Sequence, residues 1–184
     1  TIYTSEPHQL IEMLFDQIID ISLTTVPITN TNVQFHQFYD EEVICVGHPE
    51  IVHEYFDVNN NFLIKQLPIP VINYCKSLHY TSERIQKLQN FLSGNELFNS
   101  VAYVQYLQTA EAMAREGLGL AFLPQCVAEK GIAGNELMEV KIPGYESQKR
   151  SFYYSYLKNA TLKSTTKLFI ENLKSFGKTY AEAK

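Results

Sequence analysis

Few residue types that perform catalysis occur together in this sequence. Glu41 and Glu42 are adjacent carboxylates, but neighbouring residues of a strand point to opposite faces, so they do not form an acid–base pair. The chain also lacks a Gly-x-Ser-x-Gly nucleophile elbow, a phosphate-binding Gly-x-x-x-x-Gly-Lys loop and a His-Glu-x-x-His zinc motif. The five histidines are scattered, at His8, His36, His48, His53 and His79. The sequence therefore does not predict an enzyme.

Metal and cofactor sites are not indicated either. Cys45, Cys75 and Cys126 lie far apart in apolar surroundings, and no two Cys or His have ligand spacing near a second such pair. The odd count favours reduced thiols and a cytoplasmic location over a disulfide framework. Gly117 and Gly119 lack the third glycine of a dinucleotide fingerprint and follow a helix rather than a strand. We expect no metal and no cofactor.

The charge balance limits the partners of the chain. Its 184 residues carry 15 basic and 20 acidic side chains, which gives a net charge of -5. A surface of that sign repels phosphate backbones, so the chain alone is expected to bind nucleic acid poorly. No stretch approaches the roughly 20 apolar residues that span a membrane. Because the sequence starts at Thr1 without an initiator Met, we expect a piece of a longer polypeptide.

The octet Gly117–Pro124 is the most informative stretch for the fold. Good helix formers precede it at Thr109–Glu116, and its apolar residues end at a proline. A helix that ends at a glycine and leads into a short apolar strand predicts a strand buried on both faces. The two glycines let the backbone turn sharply and pass close to a neighbour.

Strand and helix signals alternate along the rest of the chain. The predicted helices include Glu83–Leu92 and a last helix that starts at Thr161 or Ser164, carries one apolar face and ends before Gly177. The predicted strands are Ile2–Thr4, Asp20–Thr25, Val33–Phe38, Glu42–Val46, Pro70–Cys75, Ser100–Tyr106 and Phe152–Leu157. This alternation predicts an α/β protein with parallel sheets covered on both faces.

Three stretches resemble the effector-binding domain of the LysR-type transcriptional regulators. In Leu10–Leu23 a helix leads into Asp20 and an apolar strand. In Phe38–Pro49 an acidic pair precedes an apolar strand and then His-Pro. Ala114–Val140 combines Gly-Leu-Gly-Leu-Ala-Phe-Leu-Pro with a later Glu-Leu-Met-Glu-Val. Their order and intervals are similar to those of the family.

The resemblance implies two Rossmann-like subdomains joined by two crossing strands, as in type II periplasmic-binding proteins. The crossings would lie near Phe38–Val43 and Leu137–Val140. Subdomain I would comprise residues 1–40 and 139–184, subdomain II residues 41–138, and an effector would bind in the cleft between them.

Two parts of a full-length family member have no counterpart in this sequence. One is the N-terminal winged helix-turn-helix with its linker helix, and the other is the strand and helix that open the effector domain. The resemblance therefore implies that DNA is bound only through an N-terminal domain absent from this sequence, and that the protein forms a homodimer or a tetramer.

The same resemblance suggests where an effector binds. Ligands of open α/β sheets bind beyond the carboxyl ends of the strands, where helix N-termini supply amide donors to anions. The residues expected to bind the effector are Thr24, Thr25, Asn73, Tyr74, Cys75, Ser82, Gln108 and Thr109. For Ser82 and Thr109 the alternative interpretation, as plain helix N-caps, is favoured, and one residue of 73–75 must face the core. Arg84 and Arg115 are expected on solvated helix faces.

We therefore interpret the sequence as a ligand-sensing domain of a LysR-type regulator. It would bind a small, anionic metabolite in the cleft and so modulate DNA binding and transcription. The alternative is a solute-binding protein of a transporter with the same two-lobed fold, which would be a monomer. A third interpretation, an enzyme such as a small deaminase or dehydratase, would need a clustered acid–base pair.

Overall fold

The computed structural model describes residues 1–63, 68–75 and 83–182. Helices and strands alternate along these residues, which confirms the α/β class. In chain order they are α1 (Pro7–Phe15), β1 (Ser22–Thr24), β2 (Val33–Gly47), α2 (Pro49–Tyr55), β3 (Ile69–Tyr74), α3 (Glu83–Ser93), β4 (Phe98–Val104), α4 (Leu107–Arg115), β5 (Leu120–Pro124), α5 (Gln125–Ala133), β6 (Met138–Val140), β7 (Gln148–Leu157) and α6 (Ser164–Glu182). Among the described helices, none is both long and apolar enough to cross a membrane.

The chain divides into two compact units. Unit 1 consists of Thr1–Asp40 and Arg150–Lys184, and unit 2 consists of Glu41–Lys149. The chain passes between the units along β2 and β7, because each boundary falls inside one of these strands. The second boundary differs from the one expected at 138/139. β6 belongs to unit 2 because it pairs with the end of β2, Val140 lying opposite Cys45.

The sheet of unit 2 has β5 near its centre. Among the described strands the order is β2-β5-β3-β4, and β6 also pairs with β2. β5 runs parallel to β3 and β3 parallel to β4, whereas β5 and β2 are antiparallel. The expected parallel arrangement thus holds for β3, β4 and β5, whereas β2 pairs antiparallel with β5 and β6. All five residues of β5 are buried, as the apolar octet predicts.

Two glycines allow β5 to enter the sheet. Gly117 follows α4 with a φ of 73°, a left-handed conformation that favours glycine. A Cβ atom on Gly119 would lie 2.7 Å from the carbonyl oxygen of Pro70 and 2.9 Å from its carbonyl carbon. The backbone of β3 therefore lies against Gly119 and leaves no room for a side chain.

Substitution of Gly119 is expected to destabilise unit 2. Gly119→Ala should lower the free energy of unfolding by about 1–3 kcal/mol, because a backbone carbonyl must move to admit the methyl group. The matched control is Gly134→Ala. Gly134 is the C-cap of α5 and has a φ of -84°, and a Cβ atom added there would lie 3.3 Å from its nearest neighbour. This control should change the stability by less than about 1 kcal/mol in urea denaturation. Equal effects of the two variants would contradict the proposed close approach.

Unit 1 is held together by a small aliphatic cluster and by aromatic pairs. The order of its described strands is β1-β7-β2, and β1 pairs antiparallel with β7, Ser22 opposite Ser155. The rings of His36 and Tyr154 stack with their centroids 5.0 Å apart. The buried aliphatic cluster consists of Leu14, Ile28 and Val33.

Two strand predictions for the first part of the chain need correction. Ile2–Thr4 is not a strand, and Ile2 is 91% exposed. Val33–Phe38 and Glu42–Val46 are parts of the single strand β2. No glycine or proline interrupts the polar residues between them, so the backbone continues as a strand where it passes from one unit to the other.

The last helix also differs from the prediction. Gly177 lies inside α6 rather than beyond its end, and a Cβ atom at this position would overlap the carbonyl oxygen of Phe38. Glycine is needed at this position for a close helix–strand approach. On this helix the apolar side chains of Leu168, Phe169 and Phe176 are exposed, whereas that of Ile170 is buried.

Candidate functional site

The candidate site lies at the carboxyl edge of the parallel strands of unit 2. Because β3, β4 and β5 run parallel, their carboxyl ends meet at one edge of the sheet. α4 starts at Leu107, three residues after β4 ends, and α5 starts directly after β5. The N-termini of both helices therefore begin at this edge, where their free backbone amides can bind an anion.

Asn73, near the end of β3, is held within the sheet. Its side chain is buried, and its Oδ1 accepts a hydrogen bond of 2.8 Å from the backbone N–H of Tyr74. Its Nδ2 donates to the hydroxyl of Ser100 on β4 over 3.3 Å. The amide group therefore links β3 to β4 at the site.

Tyr74 is the member of the 73–75 segment that faces the core. Its hydroxyl donates a 2.9 Å hydrogen bond to the carbonyl of Phe122, and its own carbonyl accepts one of 2.7 Å from the Gln89 amide on α3. Cys75 has an exposed side chain, and its backbone N–H donates to the carbonyl of Val104. Of the three residues, only Cys75 presents its side chain to solvent.

The first turn of α4 carries Gln108 and Thr109, both with exposed side chains. The N-cap is Tyr106, in an extended conformation, and its side chain makes no capping hydrogen bond. The interpretation of Thr109 as the N-cap is therefore wrong. Ala110 donates the first intrahelical bond, to the carbonyl of Tyr106. The N–H groups of residues 107–109 precede that bond and point out of the helix start.

Thr24 and Thr25 belong to unit 1. Thr24 is buried, and its hydroxyl donates a 2.6 Å hydrogen bond to the carbonyl of Val26, which closes a local turn. Thr25 is exposed. The remaining predicted residue, Ser82, lies outside the described part of the chain.

Arg115 and His48 lie at the end of the sheet opposite the site, where β5 begins, and both have structural roles. Arg115 is bonded to Glu111 at 2.6 Å and to Glu136 at 3.3 Å, so it ties α4 to the start of the turn before β6 instead of occupying a free solvated face. His48 caps α2, and its Nδ1 accepts from the N–H of Glu50 over 3.3 Å. Among the described residues, no group of three His, Cys, Asp or Glu side chains could hold a metal ion.

A pocket that no sequence pattern indicated lies beside this edge of the sheet. It has a volume of about 130 Å³ and is lined partly by Gln105, Leu107 and Tyr145 together with the predicted Tyr74. Gln105 could have been found from its place between β4 and α4, beyond the carboxyl end of a strand. Tyr145 could not, because it comes from the distant connection between β6 and β7 and no local signal marks it.

The sequence profile described as the LysR substrate binding domain matches residues 71–177, more than half of the chain. The chain belongs to the LysR substrate-binding domain family. This confirms the resemblance drawn from the three sequence stretches. The predicted fold is confirmed too, because these domains share the type II periplasmic-binding-protein fold. No curated protein matches the sequence.

Solved structures of LysR-type regulators have the same fold. Full-length HypT from Salmonella typhimurium, a hypochlorite-specific LysR-type transcriptional regulator, aligns with a TM-score of 0.67 at 13% identity, over 95% of this chain and 57% of that one. The CcmR regulatory domain of Synechocystis PCC6803 in complex with 2-PG gives 0.65 at 16% identity, over 92% and 79%. The effector binding domain of QuiR in complex with shikimate gives 0.62 at 15% identity, over 95% and 79%. The chain thus spans 57% of full-length HypT.

The three cysteines should differ in reactivity. Burial raises the pKa of the Cys45 thiol, and the negative charge of Glu139 raises it further. Cys75 and Cys126 are exposed. Since the thiolate is the nucleophile, iodoacetamide at neutral pH should label two cysteines in the folded protein and the third only after unfolding. Mass spectrometry of labelled peptides checks this, with Cys75→Ser as the control. Labelling of Cys45 in the folded state would contradict the packing of β2.

Proposed function

We propose that this chain is the ligand-sensing domain of a LysR-type transcriptional regulator and that it binds a small anionic metabolite. The carboxyl edge of β3, β4 and β5 forms one wall of the proposed binding cleft. The observation that carries the proposal is the start of α4, where the amides of residues 107–109 lie beyond the strands and the side chain of the N-cap residue, Tyr106, makes no capping hydrogen bond. The positive end of the helix dipole adds to the attraction for an anion.

The side chains around the helix start fit a small polar ligand. Cys75, Gln108 and Thr109 are exposed there, and they offer a thiol, an amide and a hydroxyl. The Asn73 amide, fixed between two strands, holds the end of β3 in place. In the proposed cleft, Thr24 and Thr25 of unit 1 and Ser82 would contribute hydroxyl groups, as the family resemblance implies.

The ligands of related LysR-type domains support the proposal of a small anionic ligand. The QuiR effector domain binds shikimate, a carboxylate, and the CcmR regulatory domain was solved with 2-PG. We carry over to this chain only the chemistry of a small carboxylate or a similar anion. The family is a ligand-binding one, and the sequence has no clustered acid–base pair, so we propose sensing rather than catalysis.

The effect on transcription would be exerted through DNA contacts made outside this chain. Its net charge of -5 is unfavourable for binding to a phosphate backbone. Effector binding would favour one of two arrangements of a cytoplasmic dimer or tetramer and so change how the DNA-binding segments meet their half-sites.

A thermal-shift screen with small carboxylates tests the proposal. A ligand at 100 times its Kd should stabilise the domain by about 2.7 kcal/mol.

Thr109→Asp should weaken anion binding roughly tenfold, because it places a carboxylate beside the bound charge. It should leave the fold intact, since an acidic residue in the first turn of a helix is favourable.

Lys130→Gln is the matched control for Thr109→Asp. It also changes the net charge by -1, but Lys130 lies in the last turn of α5. This variant should bind the carboxylate with nearly wild-type affinity. Equal losses in both variants would mean that the protein's overall charge, and not the start of α4, governs binding.

The oligomeric state of the protein distinguishes a regulator domain from the solute-binding protein of a transporter. We expect sedimentation equilibrium to give a dimer or a tetramer at micromolar concentration, because regulators of this family act as oligomers. A monomer at all concentrations, with or without ligand, would favour the solute-binding protein of a transporter. The same runs with urea-unfolded chain provide the reference mass.

A further inference from the structure

The pocket beside the candidate site is enclosed mainly by apolar side chains of unit 2. Ile85 and Leu88 come from α3, Leu107 from the start of α4, and Phe122 from β5, while Val43 of β2 completes the apolar lining. Leu88, Phe122 and Val43 are buried members of the main core cluster. The pocket is thus a gap in the core of one unit, and all its lining residues belong to that unit.

Two tyrosines give the pocket fixed walls. The Tyr74 hydroxyl is held by the carbonyl of Phe122 at 2.9 Å, so the phenol cannot swing into the gap without losing a buried hydrogen bond. The ring of Tyr145 packs with its centroid 5.0 Å from that of Phe122 and 4.9 Å from that of Phe91. The pocket is therefore formed before any ligand arrives, which lowers the cost of binding.

The size and chemistry of the pocket indicate what it accepts. Its volume of about 130 Å³ is close to that of an engineered apolar cavity of about 150 Å³ that stays dry and binds benzene. A charged group would be desolvated there among aliphatic and aromatic side chains, which is costly. Gln105 is an exposed residue of the lining, so the pocket opens to solvent beside its amide.

The pocket also adjoins the proposed anion site. Leu107 lines the pocket and is the first residue of α4, whose amides are the proposed anion donors. Tyr74 lines it and precedes Cys75 at the end of β3. A ligand could therefore place a ring in the pocket and an anionic group at the helix start.

We infer that this pocket receives a benzene-sized apolar group, and that the effector is an aromatic or similarly apolar carboxylate. The inferred effector class rests on the proposed function, whereas the binding of an apolar group depends only on the pocket. The apolar group removes water from the pocket, and the carboxylate stays at the polar edge of the sheet. Effectors that carry both an apolar ring and a carboxylate should bind more tightly than small carboxylates without a ring.

Methyl NMR of the 184-residue chain tests the inference with three probes: benzene, benzoate and acetate. Benzene and benzoate should shift the methyl resonances of Leu88 and Leu107 and give intermolecular NOEs to both residues, and acetate should give no NOE to Leu88. Benzoate should bind at least tenfold more tightly than acetate. Ile85→Phe, which fills the pocket, should weaken the binding of both ring compounds at least tenfold. Ile132→Phe is the matched control, because Ile132 is another half-buried isoleucine that packs on the same core but does not line the pocket.

The possible outcomes distinguish the inference about the pocket from the proposed function. If neither ring compound gives NOEs to Leu88 or Leu107 in the wild-type protein, the pocket inference is overturned, whatever the variants do. If acetate binds at the start of α4 as tightly as benzoate, the proposed function stands and the effector class is wrong. If benzene occupies the pocket but no carboxylate binds near α4, the pocket stands and the proposed anion site fails. Should Ile85→Phe not fold, the NOEs in the wild-type chain decide.

Discussion

The close approach of β5 to β3 is the constraint on which the rest of unit 2 depends. β5 is buried along its whole length and pairs with β2 on one side and β3 on the other. It can do so only because Gly119 has no side chain where the carbonyl of Pro70 lies. A bulkier residue there would separate β5 from β3 and misalign the strand ends that the candidate site needs.

The alignment of the strand ends determines the chemistry available at the site. With β3, β4 and β5 parallel, their carboxyl ends lie at the same edge of the sheet, and α4 and α5 start there. Buried polar contacts then fix this edge. The Asn73 amide bonds to Ser100 and to the following backbone, and Gln89 holds the carbonyl of Tyr74. Because these polar groups are already engaged, the exposed side chains of Cys75, Gln108 and Thr109 are the ones we propose to contact the ligand.

The sequence predicted much of unit 2 because its signals there are local. The glycine-flanked apolar octet correctly predicted a helix, a sharp turn and a fully buried strand. The family resemblance rested on similar local patterns and was confirmed by the match at residues 71–177.

Features that depend on distant contacts were not predictable. Gly177 has the local pattern of a helix end, yet it lies within α6, where the close approach of the Phe38 backbone requires glycine. The strand that crosses at the second boundary is β7 instead of β6, and only the pairing of β6 with β2 reveals this. Thr109 has the side chain of an N-cap, but the helix starts earlier, at Leu107. The pocket depends on Tyr145, whose place beside Phe122 and Phe91 no sequence pattern indicates.

The central claim is that the start of α4 in unit 2 binds the anionic group of the effector. Amide chemical shifts measured while a carboxylate ligand is titrated into the ¹⁵N-labelled chain test it most directly. We expect the largest shifts at the backbone N–H groups of Leu107, Gln108 and Thr109, with saturation at a single Kd. Saturable shifts confined to other parts of the chain, with these three amides unchanged, would contradict it.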